Sequence, residues 1–194
     1  MIAVMLKAAR VKNMFQQNVV AENRFLTDIS MLRQDAQRIM RDSNGARTQQ
    51  SAAALLQTVL AAEIICVLRY TMISVSQDGL ENGWIGIEFQ EQANDERKHM
   101  KMAAERIREL GGTPNFNPAP TASRTAMLEQ GSGNFAKLVQ ENLQAERSLI
   151  EHYHELIGYF AESDPQSCAL LTDIVFDEEN HTSDMEDILL THGA

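Results

Sequence analysis

The sequence predicts an all-α fold: an antiparallel four-helix bundle with one long crossover, plus an extra N-terminal helix. Three observations carry this. The chain is rich in Ala, Leu, Met, Glu and Gln and poor in aromatics and Pro, a helix-forming composition. Four stretches of helical period, each near 27 residues, are bounded by turn and cap signals. No run of alternating β-branched residues with hairpin turns is present.

Residues 1–26 show no amphipathic pattern and are open to reading as an ordered arm or a flexible tail, with Met14 a second candidate start. Thr27 or Asp28 is the expected N-cap of a short helix carrying Ile29, Leu32, Ala36 and Ile39 on one face, stopped by Ser43-Asn44-Gly45. That stripe needs a partner surface, on the bundle or on another subunit. The first long helix is expected over 48–77 and ends at Asp78-Gly79. A short link returns the chain into a second helix over 84–110, closed by Gly111-Gly112. Residues 113–133 hold Pro114, Pro118 and Pro120, with a single helical turn expected at 125–129. A connection this long can run the length of the bundle, so the third helix, 134–160, starts near the same end as the second. Ser163-Asp164-Pro165 is a cap followed by Pro at the first helical position, opening a fourth helix to about residue 190. We divide the chain into an arm with a short helix (1–46) and a bundle domain (47–192).

The second and fourth long helices each carry Glu-x-x-His: Glu96 with His99, and Glu178 with His181. Residues three apart share a helix face, so each pair can grip one metal ion. Steps of 7 or 11 residues from Glu96 reach Ile85, Phe89, Ala103 and Ile107. From Glu178 they reach Leu171, Met185 and Leu189. Both motifs therefore sit within the stripe that faces the core. The same test puts Glu63 in phase with Leu56 and Tyr70, and Glu146 in phase with Val139, Tyr153 and Ile157. The halves match: 33 residues separate Glu63 from Glu96 and 32 separate Glu146 from Glu178, and a Tyr follows each lone Glu by seven.

Four carboxylates in an apolar interior are costly unless cations neutralise them. We therefore read Glu63, Glu96, His99, Glu146, Glu178 and His181 as ligands of a two-metal catalytic centre, with Glu96 and Glu178 as bridges. Oxygen-rich ligation with imidazole suits iron, or manganese, and such a centre supports oxidation of Fe(II) by O2 or H2O2. Tyr70 and Tyr153 are candidate hydrogen-bond donors behind the ligands. Cys66, one turn beyond Glu63, is read as a small core thiol, with a place near the metals as the alternative, and His152 and His154 as surface or interface residues.

The net charge of −10 divides into +4 over residues 1–50 and −14 over the rest. An acidic body suits cations and argues against nucleic acid as the main partner. No apolar run is expected to reach the roughly 18 residues that a membrane span needs, and the apolar start lacks the order of a secretion signal. The two cysteines have no framework spacing. The expected location is cytoplasmic.

Over about residues 50–190 the chain resembles the bacterioferritin group of the ferritin-like superfamily. The resemblance rests on Ala62-Glu63 followed by Tyr70, Glu96-Arg97-Lys98-His99, and Leu110-Gly111-Gly112-Thr113-Pro114-Asn115. It rests also on Glu146 followed by Ile157-Gly158-Tyr159, and on Asp177-Glu178-Glu179-Asn180-His181. It implies a ferroxidase centre with two irons per subunit on those six ligands and storage of ferric mineral in a homo-oligomeric shell. Where the family's haem-ligating Met stands, this chain has Arg97, so no haem is expected. Thirteen residues follow His181, too few for the family's short fifth helix. With the N-terminal extension, this points to a Dps-like shell of twelve subunits rather than 24. The competing readings are a di-iron or di-manganese peroxidase or catalase-like enzyme without mineral storage, and a structural, DNA-protecting shell.

Overall fold

A computed structural model describes residues 23–43, 47–77, 83–117 and 135–192, and all regular structure among these residues is helical. The helices are α1 (Arg24–Asp42), α2 (Gln49–Gln77), α3 (Gly83–Glu109), α4 (Phe135–Phe160) and α5 (Pro165–His192). Helices α2 and α3 form one antiparallel pair and α4 and α5 the other, and the pairs close into a bundle through α2–α4 and α3–α5 contacts. The all-α, one-crossover bundle with an added N-terminal helix is the architecture the sequence predicts. The link at 78–82, the expected turn at 125–129 and the arm at 1–22 lie outside the described residues.

Local chemistry sets the helix ends. The Thr48 hydroxyl accepts from the Ser51 amide at 3.1 Å and caps α2. At the end of α3, Gly111 adopts φ +79°. Its N–H donates to the Arg108 carbonyl and that of Gly112 to the Ile107 carbonyl, both at 2.9 Å. This paired closure needs a left-handed residue, which Gly supplies without a Cβ clash. A Cβ on Gly112 would stand 2.9 Å from Ile107 Cγ2 and 3.0 Å from Ala53 Cβ, so here glycine lets the chain pass close to α2. Gln57 then fixes the departing segment, exchanging two hydrogen bonds with the Asn115 backbone at 2.9 and 3.0 Å. Asp164 caps α5 through the Ser167 amide at 3.1 Å, with Pro165 in the first helical position.

Helix α1 begins earlier than expected. Asn23, not Thr27 or Asp28, is the N-cap, and its side chain accepts from the Leu26 amide at 3.1 Å. The same side chain donates to the Glu141 carbonyl at 2.9 Å, so a tertiary contact fixes this cap. Asp28 is instead buried on the inner face with Phe25, Ile29 and Ala36. The partner surface is α2 and α4 of the same chain. Arg33 clamps the outer edge, bonding Glu155 at 2.7 Å and Glu151 at 2.5 Å. Beneath α1 lies the buried Arg69, its guanidinium 4.7 Å from the Phe25 ring centre, hydrogen-bonded to Asn142 and 3.9 Å from Glu141. Burial pulls its pKa down to about 10, against the pull of Glu141.

Two expectations change. Helix α2 is long and apolar enough to cross a membrane by length and composition, but 72% of its most apolar window is buried inside the bundle. It is the core helix, and its apolar run encloses Glu63 and Arg69. His152 is not a surface residue: it is fully buried, with Nε2 3.1 Å from the Thr58 hydroxyl. Packing of α1 over α2 and α4 encloses a second face of α4, which is why phase relative to Glu146 alone misplaces this ring. His154 is exposed.

Candidate metal centre

Near the middle of the bundle, four helices turn carboxylates and imidazoles toward one point. Glu63 comes from α2, Glu96 and His99 from α3, Glu146 from α4, and Glu178 and His181 from α5. None is more than 4% exposed. Ligand atoms of Glu63, Glu96, His99 and Glu178 all lie within 4.8 Å of one another. His99 Nδ1 is 3.2 Å from Glu96 Oε2, 3.4 Å from Glu178 Oε1 and 3.6 Å from Glu63 Oε2. His181 Nδ1 is 3.1 Å from Glu178 Oε2 and 3.3 Å from Glu96 Oε1. Glu96 and Glu178 therefore each face both imidazoles. Glu146 is grouped with Glu96 and Cys66 within the same 4.8 Å span.

Each imidazole turns its other nitrogen outward to a carboxylate on the opposite Glu-x-x-His helix. His99 Nε2 is 3.1 Å from Asp177 Oδ2, and His181 Nε2 is 3.7 Å from Asp95 Oδ2. A carboxylate behind the ring fixes its tautomer and aims Nδ1 inward. Sequence reasoning did not assign these two residues. The signal was present, because Asp precedes Glu in both copies and the full repeat is Asp-Glu-x-x-His. Crossing of the partners between α3 and α5 is a tertiary fact that helix phase does not carry.

The Tyr153 hydroxyl donates to Glu63 Oε1, whereas the buried Tyr70 hydroxyl makes no hydrogen bond among the described residues. The tyrosines match in sequence and differ in use. Arg97 is held by the Thr71 hydroxyl at 3.0 Å, the Ala93 carbonyl at 3.1 Å and the Asn94 side chain at 2.5 Å. Cys66 and Cys168 are both free thiols, and burial, with Glu146 next, pushes the Cys66 thiol well above its ordinary value.

The electrostatics are those of a crowded anionic pocket. Burial and then Glu63 raise the pKa of Glu96, while burial and then Glu178 raise that of Glu146. Burial lowers the imidazoles, but contacts with Glu178, Glu63 and Glu96 overcome it at His99, and contacts with Glu178 and Glu96 push His181 up to about 12. The centre is short of positive charge. Glu63 Oε2, Glu96 Oε1, Glu178 Oε1 and both oxygens of Glu146 are buried without a hydrogen bond. Buried acceptors in that condition are uncommon and call for an ion or a donor. Carboxylate oxygens with imidazole nitrogens are the donor set of iron, manganese or zinc rather than of a thiolate-only metal, so the residues fit a pair of divalent cations.

The family model described as Ferritin-like domain matches residues 53–191. No match is found among curated proteins. Among solved structures, the chain is similar to a dodecameric thioferritin, the bacterioferritin-related protein of Bacteroides fragilis. Identity is 23% over 84% of this chain and 92% of that one, with a TM-score of 0.60. It is similar to Desulfovibrio desulfuricans bacterioferritin, whose diiron site has been seen in different catalytic states. There identity is 21% over 75% and 83% of the two chains, with a TM-score of 0.65. The bacterioferritin of Rhodobacter capsulatus, with a metal-free dinuclear site and a haem iron, gives 22% over 71% and 82% and a TM-score of 0.62. At these identities the likeness is one of fold.

Proposed function

The chain belongs to the ferritin-like domain family, and on that premise we propose that its buried cluster is a two-iron ferroxidase centre serving iron storage and detoxification. One observation carries the reading: five buried carboxylate oxygens from four helices face one another without hydrogen bonds, beside two inward-turned imidazole nitrogens. Glu63 and His99 would hold one ion and Glu146 and His181 the other, with Glu96 and Glu178, which each face both imidazoles, shared between them. Two ferrous ions held there would each give up one electron, together reducing one O2 to H2O2 or one H2O2 to two waters with two protons from solvent, and would leave as ferric product.

The protein's own residues bind and orient. Asp177 and Asp95 keep Nδ1 of each ring aimed at the ions. Tyr153 holds Glu63 in place by hydrogen bonding. Apolar neighbours, including Leu60, Phe89 and Ile174, are fully buried and exclude bulk water from the centre. Residues 47–192 are the working bundle, and α1 is an appended helix covering its α2–α4 face. The Arg97 guanidinium is engaged where haem-binding relatives carry Met, which supports a haem-free protein. A cytoplasmic homo-oligomeric shell, of twelve subunits rather than 24, completes the reading, since a stored mineral needs an enclosed cavity. The dodecameric assembly of the Bacteroides fragilis protein supports that size.

Aerobic addition of Fe(II) tests it. The wild-type protein oxidises Fe(II) rapidly and retains the ferric product within the particle, and the Glu96→Ala/His99→Ala variant loses the fast phase. Oxidation at the wild-type rate in that variant would falsify the site. Peroxide turnover with no retained iron would instead make the protein a peroxidase on the same ligands.

A further inference from the structure

We propose that the sulfur of Cys66 is a ligand to one of the two metal ions, the one held by Glu146, so that the centre is chemically asymmetric. The inference rests on the metal-centre reading above and deepens it. Both halves of the chain supply the same set at matched positions: Glu63 and Glu146, Tyr70 and Tyr153, Asp95 and Asp177, Glu96 and Glu178, His99 and His181. Three residues beyond the lone Glu they part, with Cys66 in one half and Leu149 in the other. Both are fully buried. Leu149 shows what apolar packing alone accepts at this position, and Cys66 puts a donor atom there instead.

Two observations aim that atom at a metal. Cys66 Sγ and carboxylate oxygens of Glu96 and Glu146 all lie within 4.8 Å of one another. Bound to one cation at about 2.3 Å for sulfur and about 2.0–2.2 Å for oxygen, three such donors stand about 3.5–4 Å apart. Closing from the present span takes up to about 1 Å, within the reach of side-chain torsions. Glu146, meanwhile, is fully buried and, among the described residues, neither of its oxygens accepts a hydrogen bond, from Cys66 or from any other group. A buried carboxylate left open beside a thiol is a half-built cation site. The matching Glu63 differs, since Tyr153 donates to one of its oxygens. On ligation the S–H bond breaks, a sulfur–metal bond forms and the proton leaves to solvent, with no change of oxidation state. The softer donor favours Fe(II), Co(II) or Zn(II) over Mn(II) at that position.

Cobalt provides the readout, because a thiolate ligand gives Co(II) an intense near-ultraviolet charge-transfer band that oxygen and nitrogen ligands do not. Metal-free wild-type protein titrated anaerobically with Co(II) should take two equivalents per chain and develop the band with only one of them. Cys66→Ser should lose the band and keep the weaker visible bands of oxygen- and nitrogen-bound cobalt, while Cys168→Ala should keep both. Far-UV circular dichroism of Cys66→Ser and of Cys66→Ala checks that the bundle is intact, and the wild-type spectrum alone decides the matter should either fail to fold. Two bound cobalt ions with no sulfur band, or a band that survives Cys66→Ser, would overturn the proposal and leave the ferroxidase centre standing. Failure of the wild-type protein to bind Co(II) tightly, with Glu96→Ala no different, would overturn the centre itself and this assignment with it.

Discussion

Glu146 brings two carboxylate oxygens into full burial and pairs neither. A lone residue of this kind costs several kcal/mol on general grounds, and here it has three carboxylate neighbours. The imidazoles across from it are oriented from behind, which makes their outer partners measurable. Asp177 stands 3.1 Å from His99, and Asp95 stands 3.7 Å from His181. Asp177→Asn should weaken metal binding by ~10–100-fold, with a smaller loss for Asp95→Asn, as read by competition with a coloured chelator. Equal binding by Asp177→Asn and wild type would remove the orienting role. A different histidine reports on stability. Burial holds His152 neutral in the fold, its pKa depressed to about 4 from an ordinary 6.5. Between those values the unfolded chain takes up a proton that the folded chain refuses, so stability is lost as pH falls through this window, by on the order of 3 kcal/mol. Urea unfolding at pH 7 and pH 4.5 should show a steeper loss for wild type than for His152→Gln. Parallel losses would mean that the ring titrates freely.

At the scale of elements, α1 is held to the bundle by Phe25 more than by its salt bridges. Phe25 is 1% exposed, stands edge-on to Tyr70 at 6.4 Å and lies under Arg69 at 4.7 Å. Phe25→Ala should cost ~3–5 kcal/mol, seen as a lower denaturation midpoint in urea. Arg33→Ala, at a clamp that is part exposed, should cost ~1 kcal/mol or less. The reverse ranking would mean that charge, not packing, docks the helix. The long helices were legible because each keeps one apolar phase from a cap to a stop: Thr48, Gly111 and Asp164 do locally what their residue types favour. The start of α1 was not legible, because Asn23 caps it while bonding the Glu141 backbone, 118 residues away. The candidate ligands were legible because a charged residue in an apolar phase stands out. Asp95 and Asp177 were not, because they lie one residue off that phase and reach the imidazoles only across to the other helix. His152 was missed for a related reason: nothing in α4 announces that α1 covers its second face.

For the whole molecule, the duplicated Asp-Glu-x-x-His and the matched spacing of Glu63 and Glu146 give the bundle an approximate two-fold arrangement around its centre. The symmetry is broken inside, where Tyr153 bonds Glu63 but Tyr70 makes no hydrogen bond among the described residues, and where Cys66 stands in one half at the position that Leu149 holds in the other. Ferrous oxidation and a storing shell both depend on that centre taking up two cations. Anaerobic Fe(II) titration of the metal-free protein, beside the Glu96→Ala variant that lacks one of the two proposed bridging carboxylates, measures this most directly. Two tightly bound Fe(II) per chain are expected in the wild type, with loss of tight binding in the variant. A wild type that binds one or none, or a variant that binds as the wild type does, would contradict a two-cation centre.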